Sequence, residues 1–368
     1  MIKHLCISLI VAMLFTAGTA SAQRRAAANS GAKTTHATQT VKLPNDAALV
    51  AKAQAGDARS QALVGRCYRI GEEGVKKNYL EAVKWLQKAV SQGDGVGCYE
   101  LGFCYEMGHG VTANYTKANE LYKQAIAALT PEAEAGNAIS QIFLGRCYDF
   151  GYGTEQNSTE AVKWYRRAAE QGNADAQCNL GFCYEKGQGV NQSYTEAVKW
   201  YRLSAEQGNV RAQCILGVCY INGQGVKQSY TEAVKWSRLS AEQGNALAQY
   251  NLGWCYAEGQ GVNQSFTEAV KWYRLSAEQG HASAQNSLGV CYYNGQGVKQ
   301  SYSEAVKWFR LSAEQGYADA QTNLGRCYAN GQGVSKSEST AIKWYKNAAA
   351  QGDETAKKIL RKRGIYNW

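Results

Sequence analysis

Proline is almost missing from this chain, with 2 residues in 368, and histidine (4) and methionine (3) are scarce too. With so little proline and no Gly-x-y period, a collagen triple helix is excluded. A disordered low-complexity chain would gain proline and lose aromatics, whereas here 11% of residues are aromatic and 45% hydrophobic. Cysteine, at 12 residues, falls short of a small disulfide scaffold. Beyond the N-terminal segment, no stretch is long and apolar enough to span a membrane. No block of five like charges interrupts the body of the sequence. The net charge of +10 permits weak attraction to acidic surfaces or nucleic acid, but the densest basic cluster, Lys357, Lys358, Arg361, Lys362 and Arg363, reads as a solvated helix end ahead of nucleic-acid binding, and no nucleic-acid partner is expected. What is abundant is glycine, 38 residues, and much glycine with little proline points to one turn type used many times.

The first 22 residues read as a signal peptide. Lys3 and His4 precede the apolar run Leu5 to Phe15, and Ala20-Ser21-Ala22 supplies a small-x-small cleavage pattern that leaves Gln23 first. Cys6 lies before that pattern, so it is not the cysteine of a lipoprotein. A secreted or periplasmic product is expected. Residues 23–45 lack apolar periodicity and read as a flexible linker, which leaves 46–366 for the folded part.

That part repeats itself. A Gly-x-Cys-Tyr context places cysteines at 67, 104, 147, 183, 219, 255, 291 and 327, with steps of 37, 43 and then 36 five times. A fixed period of this size is the signature of stacked structural repeats. One unit runs from Asn173 (position 1) to Gly208. Ala176, Leu180, Cys183 and Tyr184 fall on one helical face. Gly181 shares that side and admits a close neighbour, and Gly187 and Gly189 end the first helix. Ser193-x-x-Glu196 opens the second as a capping box, recurring at Ser229/Glu232, Ser265/Glu268 and Ser301/Glu304. Ala197, Trp200, Tyr201, Ser204 and Ala205 form its inward face. The tryptophans at 85, 164, 200, 236, 272, 308 and 344 read as core, and Lys199 and Arg202 as solvated.

These residues resemble the Sel1-like repeat family, helical hairpins akin to tetratricopeptide repeats. The matching motif is A-x-x-x-L-G-x-x-Y, G-x-G-V, E-A-V-K-W-Y and A-E-Q-G. The resemblance implies an all-α, right-handed α/α superhelical solenoid of about eight 36-residue helical hairpins. It also implies an adaptor for protein partners and no cofactor. The second unit departs most: Leu121 replaces tryptophan, Lys117 the capping glutamate, and seven residues are inserted near 125–136. Pro131 there suits the first turn of a short extra helix after Thr130.

The eight register cysteines read as small buried hydrophobes. Cys98, Cys178 and Cys214 lie earlier in their first helices. Cys178 and Cys214 share one position in adjacent units, so an exported protein could bridge them. Against this, neighbouring helices lie about 8–10 Å apart and a disulfide wants Cα atoms within about 7 Å. C-x4-C and C-x5-C spacings without histidine pairs give no metal site.

Comparing units separates scaffold from surface. Variation gathers at position 3 (Asp175, Arg211, Leu247, Ser283, Asp319), position 6 (Cys178, Cys214, Tyr250, Asn286, Thr322) and position 10 (Phe103, Arg146, Phe182, Val218, Trp254, Val290, Arg326). First helices of such solenoids line a concave groove, and aromatic residues beside Arg and Asp have the composition of a binding hot spot. Position 10 has the alternative of packing against the next unit. Catalysis finds little footing. The histidines outside the signal segment, His36, His109 and His281, fall in the linker, a turn and a helix start, which builds no nucleophile–base pair. Some cysteine-rich relatives are described as binding or slowly hydrolysing penicillins, but the single S-x-x-K, Ser30/Lys33, lies in the linker. A cell-wall glycan is a further candidate partner for the aromatic stripe.

Overall fold

The structure is a computed structural model that describes residues 45–71 and 74–368. Eighteen α-helices and no strand occur among the described residues. The signal segment and nearly all of the linker lie outside them. Backbone packing divides the chain into a part ending at Trp164 and a part beginning at Tyr165. Each is an all-α stack of helical hairpins in which consecutive helices pack on one another.

The first part opens with α1 (Ala47–Gln54), which covers the hairpin α2 (Ala58–Ile70) and α3 (Tyr79–Val90). Next come α4 (Gly95–Met107) and α5 (Tyr115–Glu134), α6 (Ala138–Phe150), and the start of α7 (Ser158–Glu170). The second part runs α8 (Ala174–Lys186), α9 (Tyr194–Glu206), α10 (Val210–Asn222), α11 (Tyr230–Glu242), α12 (Ala246–Glu258) and α13 (Phe266–Glu278). It continues with α14 (Ala282–Asn294), α15 (Tyr302–Glu314), α16 (Ala318–Asn330) and α17 (Glu338–Ala350), and closes on α18 (Glu354–Lys362).

Hairpin geometry follows from glycine. A Cβ at Gly253 would stand 2.7 Å from the Tyr273 ring, so the bare backbone lets α12 and α13 touch. In the G-x-G turn the second glycine serves approach as much as conformation: a Cβ at Gly225 would lie 2.2 Å from the Tyr194 carbonyl oxygen of the preceding hairpin.

Units are joined by buried glutamines. Gln177, Gln213, Gln249, Gln285 and Gln321 each donate to the carbonyl of Ala169, Ala205, Ala241, Ala277 or Ala313 at 3.1–3.2 Å. Each also accepts from the glutamine closing its own hairpin, Gln207 through Gln351, at 2.7–2.9 Å. A buried amide satisfied on both sides fixes register without an unpaired polar group.

Several expectations change. Only Trp164 and Trp236 are buried among the seven tryptophans. The fully enclosed aromatic is the next residue, as in Tyr165, Tyr201, Phe309 and Tyr345. The capping box is half used: Ser193 accepts from the Glu196 N–H at 3.2 Å, but its own N–H donates to the Tyr184 carbonyl, freeing Glu196 to pair with Lys199. Arg202 is not simply solvated, for it donates to the Tyr220 hydroxyl of the next unit at 2.6 Å. Arg238, Arg274 and Arg310 repeat the bond to Tyr256, Tyr292 and Tyr328. No short extra helix follows Thr130. The insertion instead lengthens α5 to 20 residues with Pro131 inside it. Seven residues are close to two helical turns, so Leu121, Ala125, Leu129 and Ala133 stay on one buried face and the helix continues. The Thr130 hydroxyl donates to the Ile126 carbonyl beside the proline.

Candidate functional site

The first helices position every groove candidate, held at one end in all but α16 by a side-chain cap such as Asn209 on the Ala212 N–H and at the other by a left-handed glycine. Their positions 3, 7, 10 and 14 fall on one face by helical spacing. At position 3, Asp175 accepts from Asn209 at 2.9 Å, Arg211 donates to Asn179 at 3.2 Å, and Leu247 is buried. Position 10 is graded along the stack: Phe182 and Val218 are each 9% exposed, Trp254 and Val290 half-buried, Arg326 exposed. The Trp254 ring lies 6.1 Å from that of Tyr230. Position 6 turns toward the neighbouring unit. Cys178 and Cys214 are buried there, Tyr250 sits 5.1 Å from the His281 ring, and Asn286 accepts from Asn323 at 3.0 Å. Many of these side chains therefore knit units together as well as facing outward.

In the first part, Phe103 is half-buried beneath the Arg69 guanidinium at 4.6 Å, and Arg146 lies 5.1 Å from the Phe143 ring. A charged cluster escaped the sequence reading. Glu100 is fully buried with Arg69 at 2.6 Å and Arg66 at 3.6 Å. Nearby in sequence, Arg59 binds Asp94 at 2.6 Å and Glu132 at 2.8 Å. The available signal was a carboxylate at position 7, where other units carry Asn, Ser or apolar residues, facing two arginines one unit earlier.

The thiols are shielded. Burial pushes Cys104, Cys147, Cys219 and Cys255 up to about 12, and Cys291 and Cys327 to about 11. Cys214 is raised to about 12, by burial first and by Cys178 second. A thiol held protonated is a poor nucleophile and a poor metal ligand. Among the described residues no three His, Cys, Asp or Glu side chains gather closely enough to hold a metal. His109 stacks on Tyr79 at 4.1 Å, and burial lowers its basicity. His36, Ser30 and Lys33 fall outside the described residues. The basic C-terminus is folded back: Arg363 binds Glu338 at 2.6 Å and Arg361 lies 5.7 Å from the Trp368 ring. No helix of the described residues is long and apolar enough to cross a membrane.

The Sel1 repeat matches the chain eight times, at residues 58–94, 95–128, 138–173, 174–209, 210–245, 246–281, 282–317 and 318–353. The chain belongs to the Sel1 repeat family. Members of the family generally act as scaffolds for protein–protein interaction. A protective antigen present in uropathogenic Escherichia coli strains, displaying an SLR fold, is 38% identical with a TM-score of 0.61. The alignment covers 85% of this chain and 66% of that one, so this Sel1 chain spans just under two thirds of its length. A Sel1 repeat protein from Oxalobacter formigenes is 34% identical with a TM-score of 0.59, over 68% of this chain and 96% of that one. A search of curated proteins found no match. The stretch left unmatched between the second and third repeats is the extended end of α5 with the turn that follows.

Proposed function

We propose that this Sel1 repeat chain is an exported scaffold that holds a protein partner along the first-helix face of α8 to α16. The observation that carries the reading is the row Phe182, Val218, Trp254, Val290 and Arg326. Its members change from unit to unit while the leucine two residues before each stays, and exposure rises toward Arg326. A half-buried tryptophan bordered by hydrogen-bonding residues suits a hot spot, where aromatic and arginine side chains dominate affinity. Pull-down by the intact chain, wild type against Trp254→Ala with Arg326→Ala, tests it. Loss of the partner recovered by wild type is expected, and unchanged recovery removes this face from the reading. Export rests on residues 1–22. It predicts protein outside the cytoplasm beginning at Gln23, and retention inside with Met1 in place ends that part of the proposal.

A further inference from the structure

The second helices carry a different surface. Leu203, Leu239, Leu275 and Leu311 stand at one position of α9, α11, α13 and α15 and are 40–45% exposed, unlike the other leucines of these hairpins. The same position holds Lys88, Gln124, Arg167 and Asn347 in the remaining units, so the apolar row has four rungs and a polar residue at each end. Single exposed leucines are ordinary, whereas an aligned row with polar ends marks a contact surface.

Charge around the row selects its occupant. On each helix a lysine lies four residues before the leucine and a glutamate three residues after it, both on the leucine's face. Lys199, Lys235, Lys271 and Lys307 are exposed and reach back to Glu196, Glu232, Glu268 and Glu304. Glu206, Glu242, Glu278 and Glu314 are exposed, and no ion pair among the described residues involves them. Read along each helix, the stripe is base, leucine, unpaired acid. Its complement is the same stripe with the helix direction reversed.

We infer that a second copy of this chain docks face to face on this leucine row, with its second helices antiparallel to those they meet. A two-fold axis along the row then sets each leucine against its own counterpart and each lysine row against the partner's glutamate row. The other two-fold, which keeps helices parallel, faces lysine with lysine and glutamate with glutamate. A second copy is also the one partner whose rungs share this spacing by construction, the condition for a self-complementary patch. Glu, Lys, Leu, Glu and Gln on each of four helices give about twenty residues a side, the low end of a stable interface.

Sedimentation velocity of the intact chain at micromolar concentrations tests the inference. A dimer is expected, weakening as salt rises. Leu239→Glu with Leu275→Glu should weaken it at least about a hundredfold, since two apolar contacts give way to repelling carboxylates. Their exposure keeps the fold intact, checked by an unchanged helical circular dichroism spectrum. Glu242→Lys with Glu278→Lys should also weaken the dimer, and adding Lys235→Glu with Lys271→Glu should restore it. A chain that stays monomeric up to about 100 µM overturns the proposal, as does a dimer indifferent to the leucine pair. Failure of the charge swap to rescue overturns the antiparallel arrangement. Trp254→Ala leaves this dimer unchanged, so the two faces are judged separately.

Discussion

His281 occupies the helix-capping place that Asn173, Asn209 and Asn245 fill in the three preceding units, and its Nδ1 accepts from the Ala284 N–H at 3.2 Å. Burial lowers its pKa to about 4, against 6.5 for an ordinary imidazole. Between those values the unfolded chain binds the proton and the folded chain does not. Stability therefore falls as pH drops from about 6.5 to about 4, and the loss levels off below that. His281→Asn keeps a capping oxygen and removes the titration. Its unfolding free energy should fall less than that of wild type between pH 7 and pH 4.5, a difference on the order of 2 kcal/mol after allowance for partial exposure, read by denaturant titration at the two pH values. Equal falls in the two proteins would assign the acid sensitivity elsewhere. The cysteines behave in the opposite sense to reactive thiols. The value of a cysteine at position 11 is its volume beside a glycine, and its chemistry is suppressed by the same burial.

Between elements, recurring polar contacts join the apolar packing. The Arg238 bond to the Tyr256 hydroxyl, at 2.7 Å, ties α11 to α12. Arg238→Met keeps much of the stem packing and leaves a half-buried hydroxyl without its donor, so denaturant titration should show a loss of about 0.5–1.5 kcal/mol. A loss near zero would mean that water replaces the guanidinium. This ladder shows where sequence reading runs out. Helix ends, hairpin turns and buried small residues were legible because glycine and serine act locally, within a few residues. Arg202 and Tyr220 are 18 residues apart and meet only after two helices and a turn are placed, so neither betrays the other in sequence. The α5 extension was missed for a related reason. Proline reads as a helix start, but the apolar spacing from Leu121 to Ala133 had already committed the backbone, and tertiary packing outweighs a local preference. Of the candidate groove, the row at position 10 was legible as variable. Its gradient of burial was not, because burial is set by packing between units, which a position-by-position comparison of sequences does not show.

Across the second part of the molecule, one polar junction is used again and again beside a repeating apolar core. The Gln249 amide bridges Ala241 and Gln279, and Gln285 bridges Ala277 and Gln315 in the same way. Removal of residues 246–281 would bring Gln285 to Ala241 and join Asn245 to Ala282, with the glutamine bridges rebuilt from the same residue types and Asn245 taking the capping place of His281. Such a shortened chain should fold cooperatively, with a thermal midpoint within a few degrees of the parent and helical content reduced in proportion to length. An unfolded or aggregated product would show that the units are not equivalent. If they are, the number of units becomes a heritable variable. Unequal exchange between near-identical gene segments can add or delete a whole step in register, and no surviving contact records the change. The buried glutamines, which hold the register within one molecule, would then let the lineage alter the number of its repeats without redesigning a single joint.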